Sequence, residues 1–90
     1  METVIFAGPR LLTVNLVYRQ GRQFRMVFSG PMACGKTRLR EKMAEAVTAM
    51  KGTVLQSYAF PNENEMTDIL IGEGVDKDSL VQRLNSFLKA

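Results

Sequence analysis

The sequence predicts a small α/β or α+β domain with a single sheet of about five strands: an antiparallel meander, then a strand–loop–helix unit, then a C-terminal helix. Three features carry that reading. Short apolar and β-branched segments near the N-terminus are joined by tight turns containing Gly, which favours antiparallel neighbours. A glycine-rich stretch, Gly30–Thr37, lies between an apolar run and a helical stripe of apolar residues. Towards the C-terminus, Leu80, Val81, Leu84, Phe87 and Leu88 fall on one helical face. With 90 residues, 46% apolar content and five Phe, the chain has a core for one domain, near the lower limit of what folds without disulfides or metal.

In order along the chain, residues 1–22 read as an antiparallel β extension. Thr3–Ala7 is a strand, and Gly8-Pro9 a turn. Leu11–Arg19 alternates Leu12, Val14, Leu16 and Tyr18 with Thr13, Asn15 and Val17, the pattern of a half-buried strand. Gln20-Gly21-Arg22 turns the chain tightly into a third strand, Gln23–Ser29. From Lys36 to Lys51, the residues Leu39, Met43, Val47 and Met50, with Ala46, share one face of a helix, and Gly52 is the expected C′ stop. Thr53–Phe60 is a fourth strand, and a right-handed crossover places it parallel to the third. Pro61–Glu65 reads as an exposed acidic turn and Asp68–Gly72 as a buried fifth strand. Asp76 or Asp78 caps the last helix, within residues 76–90.

Gly30-Pro31-Met32-Ala33-Cys34-Gly35-Lys36-Thr37 matches the phosphate-loop pattern G-x-x-x-x-G-K-S/T at every fixed position. The strand before it and the helix after it are the context that the pattern requires. Gly30 and Gly35 let the chain curl and let a phosphate approach the backbone with no Cβ in the way. Successive N–H groups then form an anion nest at a helix N-terminus. Lys36 reaches the β- and γ-phosphates as a compact cation, and the Thr37 hydroxyl ligates Mg²⁺. Pro31, Met32, Ala33 and Cys34 line the loop and Arg38 flanks it. Cys34 is the single cysteine, so it forms no internal disulfide and is read as a small filler.

These residues resemble the P-loop NTPase superfamily, over roughly Gln23 to Val75, and the loop also looks like those of small phage-encoded P-loop proteins. The resemblance implies a P-loop core at residues 23–75 that binds ATP or GTP with Mg²⁺ and carries out slow hydrolysis or phosphoryl transfer. It gives catalytic roles to Lys36 and to an acid at a neighbouring strand end. The run Asp68-Ile69-Leu70-Ile71-Gly72-Glu73-Gly74 is similar to such a strand end, which makes Glu73 the second metal and catalytic residue, with Glu63 as its rival and Asp68 a strand-start residue. A parallel fifth strand brings Glu73 beside Thr37. The match is to a minimal core: after Glu73, one helix is left to supply a lid or an arginine finger, and Arg22, Arg25 or Arg38 of a neighbouring subunit would have to act instead.

Composition narrows the remaining classes. No stretch has the ~20 apolar residues that span a bilayer, and Met1–Phe6 lacks the basic start of a secretory signal. With one Cys, this predicts a cytoplasmic protein without membrane contact. The net charge is +3, and Arg19, Arg22, Arg25, Arg38 and Arg40 cluster between the second strand and the first helix. That cluster reads as a solvated basic face, with nucleic acid a less favoured partner. The alternative to a nucleotide-binding protein is an interaction module, such as a phage-type inhibitor, whose loop is a relic or holds a structural anion. Its meander would offer an edge strand to a protein partner or to a second copy of itself.

Overall fold

Short connections decide the first half of the sheet. The computed structural model describes residues 2–8, 11–31, 34–59, 65–70 and 75–89. Its first three strands, β1 (Glu2–Ala7), β2 (Thr13–Tyr18) and β3 (Gln23–Ser29), form an antiparallel meander. Gly21, at φ 62°, sits in the β2–β3 turn, which Arg19 N–H to Gln23 O (2.9 Å) and Gln23 N–H to Gln20 O (3.0 Å) close. Val14 opposes Phe28 and Leu16 opposes Met26, so the inward residues of both strands meet in pairs.

Beyond β3 come α1 (Lys36–Ala49), β4 (Thr53–Ala59), β5 (Glu65–Leu70) and α2 (Lys77–Lys89). The sheet order is β1-β2-β3-β5-β4. β5 enters between β3 and β4 and runs antiparallel to both. Among the described residues the fold is therefore α+β, one five-stranded antiparallel sheet with two helices. β4 does run in the same direction as β3, as a crossover through α1 requires, yet the two are separated by a strand. The expected parallel fifth strand is thus corrected to an antiparallel one. It also begins at Glu65 rather than Asp68, which takes Glu65 out of the acidic turn and into the sheet.

Both helices pack on the core side of the sheet. Phe28, Met26, Met43, Ile69, Leu80 and Leu84 are fully buried there, with Val14, Val47 and Val75. Fully burying one such side chain contributes about 1.5–3 kcal/mol. The α1 stripe buries Leu39, Met43, Ala46 and Val47, as its periodicity predicts. Its C-terminus differs in detail. Lys51, at φ 64°, takes the left-handed C′ position, and its N–H bonds Thr48 O while Gly52 N–H bonds Val47 O. Gly52 is required for a different reason: a Cβ there would lie 2.5 Å from Val75 Cγ2 and 2.9 Å from Val47 Cγ1. At α2, Asp76 is the cap, accepting the Ser79 N–H at 2.8 Å, which holds its carboxyl below the usual range. Among the described residues, no helix is long and apolar enough to cross a membrane.

Candidate functional site

The glycine-rich loop leaves β3 at Ser29 and enters α1 at Lys36, at the sheet end where β5 begins. Gly30, at φ 159°, is packed so closely that a Cβ would come 2.5 Å from Cys34 Sγ and 3.3 Å from Leu11 O. Cys34 is a buried free thiol of the core, and its N–H donates to Pro31 O at 3.3 Å. Gly35 is the α1 N-cap in a left-handed conformation, φ 98° and ψ 7°, which suits a residue without Cβ. It offers no side-chain cap, and the first turn of α1 has no acid. Lys36 and Arg38 place positive charge there instead, at the positive end of the helix dipole. The Lys36 ammonium donates to Gly30 O (3.1 Å) and Pro31 O (3.4 Å), bracing the loop and keeping one of its three protons for another acceptor.

The sheet supplies the missing carboxylate. Glu65 pairs with Phe28 across β3–β5, so the first residue of β5 stands at the end from which the loop departs. Its Oε2 accepts the Thr37 hydroxyl proton, and its Oε1 accepts Arg40 Nε at 2.6 Å. Arg40 Nη1 continues to Ser57 Oγ at 2.8 Å, and Ser57 Oγ lies 3.1 Å from the Thr67 hydroxyl. The side chains of Arg40 and Glu65 are 14% and 6% exposed, so this pair is largely out of water. Burial alone would push the Glu65 carboxyl up. Hydrogen bonds from Arg40 and Thr37, with the charges of Arg40 and Lys36, outweigh it and hold the group below the usual carboxylate range. Glu65 is therefore a carboxylate with both oxygens engaged.

Gly30, Pro31, Cys34, Gly35, Lys36, Thr37 and Arg38 lie along the turn from β3 into α1, with Cys34 in the core and Arg38 exposed. Met32, Ala33, Glu63 and Glu73 lie outside the described residues. The strand direction on which Glu73 depended is reversed, so the acid beside Thr37 comes from the start of β5. The sequence expectations give Glu65 only as a turn acid and Arg40 only as one of the basic cluster, and they assign no site role to Ser57 or Thr67. The signal for them is the alternation Glu65, Thr67, Ile69, all three buried, on the inward face of one strand. The basic cluster does not form one face. Arg40 is paired with Glu65, Arg25 lies 5.9 Å from the Tyr58 ring centroid, and Arg19 and Arg22 flank the far end of β3. A strand of that length spans about 20 Å.

Among the described residues, no group of three or more His, Cys, Asp or Glu side chains converges on one point. A cavity of about 240 Å³ opens on the flank of α1 that faces α2. No family model matches the chain, and neither does any curated protein or solved structure compared with it.

Proposed function

We propose that this chain is a P-loop nucleotide-binding protein that holds a nucleoside triphosphate with Mg²⁺ at Gly30–Thr37. The observation that carries the reading is the Thr37–Glu65 hydrogen bond, made beside a helix N-terminus that has neither a side-chain cap nor an acid in its first turn. A phosphate chain would satisfy the free N–H groups of the first turn and the surplus charge of Lys36 and Arg38. Mg²⁺ keeps several waters and takes one or two protein ligands together with phosphate oxygens. Thr37 fits that demand: its proton is committed to Glu65, so its oxygen is left to act as an acceptor towards a cation. Glu65 supports the site through Thr37, because Arg40 occupies its other oxygen.

The same geometry argues for slow chemistry. A general base needs a free oxygen and a pKa near the working pH, and Glu65 has neither. Arg40, bound to Glu65 and Ser57, is not free to stabilise a transition state, and a supplied arginine is worth about 10³–10⁵ in rate. Binding with weak hydrolysis is therefore the activity we assign. The buried free thiol of Cys34 suits the reducing cytoplasm in which we place the protein.

Thermal melting with Mg·ATP and Mg·GTP tests the reading. At a hundredfold excess over Kd, ligand stabilises by about 2.7 kcal/mol, which for a domain of this size raises Tm by about 10–20 °C. Lys36→Ala should remove that shift and change the unliganded Tm far less. A wild-type chain that shows no shift at millimolar nucleotide overturns the assignment.

A further inference from the structure

The triphosphate reading leaves open where the nucleoside goes, and the two flanks of α1 differ in what they offer. Thr37 and Arg40 lie on the flank facing β5, where Glu65, Ser57 and Thr67 form a closed polar network. Arg38 and Lys42 lie on the other flank, since about 100° per residue sets Arg38 roughly 200° from Arg40. The cavity of about 240 Å³ is on that second flank. Cys34 and Gly35 of the loop are part of its lining, so the cavity adjoins the loop.

The lining has a defined chemistry. Leu12 and Leu39, 5% and 7% exposed, supply aliphatic surface, and the half-buried ring of Phe87 supplies an aromatic wall from α2. Lys42 Nζ stands 5.4 Å from the Phe87 ring centroid, and with Arg38 it puts two cations at the rim. Aliphatic and aromatic side chains beside two cations suit a flat ring whose edge carries acceptors, joined to an anion. Its volume is below the ~300–1,000 Å³ of drug-sized sites, which limits the occupant to about one ring system.

We infer that this cavity is the nucleobase site: the heterocycle of the bound nucleotide lies between Leu12, Leu39 and Phe87, and Arg38 guides the phosphate nearest the ribose towards the loop. The inference rests on the nucleotide reading of Gly30–Thr37 and is separable from it. Isothermal titration of the full chain compares Mg·tripolyphosphate, which has no base, with Mg·ATP and Mg·GTP. At least one nucleotide should bind tenfold or more tightly than tripolyphosphate. Phe87→Leu and, independently, Lys42→Met should bring that ratio down at least threefold, with circular dichroism verifying the fold of each.

Equal affinity for tripolyphosphate and both nucleotides overturns the base site and leaves the loop reading intact. A nucleotide preference that neither substitution lowers places the base elsewhere and also overturns it. Absence of binding by all three ligands removes the loop reading, and the base site with it.

Discussion

The two helices begin in opposite ways. The N-terminus of α2 is complete in itself: Asp76 accepts the Ser79 N–H, and Asp78 places an acid in the first turn, where the dipole favours it. The N-terminus of α1 has Gly35 as its cap, no side-chain hydrogen bond and no acid, and it begins with Lys36 and Arg38. Its compensation comes from outside the helix, in the Glu65 carboxylate that Thr37 and Arg40 share. One helix start is stabilised by its own residues. The other forgoes that local stabilisation, which accords with the anion site we propose for it.

Removing the external carboxylate is the sharpest way to break the contrast. Glu65→Ala leaves Arg40 as an uncompensated, largely buried cation and should cost about 3–5 kcal/mol, a large part of the ~5–15 kcal/mol available to a domain. Replacing both partners, as in Glu65→Leu with Arg40→Met, should recover most of that loss. Urea unfolding of the three proteins measures both effects, and a double variant as unstable as the single would show that the pair is not the cause.

A smaller effect is expected at Gly35. No atom lies within 4 Å of a Cβ built there, so Gly35→Ala meets only the cost of its φ of 98°. That is about 1–3 kcal/mol. Gly35→Asn should lose less, because Asn tolerates this region. Equal losses for Ala and Asn would point to sterics instead.

Acid should weaken both starts, and a substitution at Glu65 isolates the share that belongs to α1. The Glu65 carboxyl is depressed in the folded protein, so the unfolded chain binds its proton more readily. Its contribution is complete above the unfolded value of about 4.3 and is lost as pH falls through the folded one. Wild-type stability should therefore drop below about pH 4 more steeply than that of Glu65→Gln. Asp76 is also depressed, through its backbone hydrogen bond, and acts with the same sign. Urea midpoints measured against pH give the comparison, and parallel curves for wild type and Glu65→Gln would remove Glu65 from the account.

The smallest change is the most diagnostic. Arg38→Glu gives the first turn of α1 the acid it lacks, and Arg38 is exposed. The unliganded protein should gain about 0.3–1 kcal/mol, while the nucleotide-dependent Tm shift disappears. Asp76→Ala does the reverse at α2, lowering Tm and leaving the nucleotide shift in place. A variant Arg38→Glu that still responds to nucleotide would place the phosphates away from α1.

Local patterns made much of this molecule legible in advance. Apolar periodicity marks β2 and the buried stripes of both helices, an apolar run marks β3, and turn and cap chemistry marks Gly21 and narrows the α2 cap to Asp76 or Asp78, of which Asp76 makes the bond. The place of the turn between β3 and α1 follows from glycine spacing between an apolar run and a helical stripe. Each of these depends on neighbours within a turn or two of chain. The place of β5 does not. Whether it lies beside β4 alone or enters between β3 and β4, and in which direction, depends on which buried faces match across the sheet. Thr37 and Arg40 find Glu65 at separations of 28 and 25 residues, and reversing that one strand exchanges the end that meets the loop. Glu73 followed from a parallel strand; the antiparallel one delivers Glu65. Pairing energy of that kind belongs to the assembled sheet, where a carboxylate can be buried because Arg40 and Thr37 are already in place to receive it.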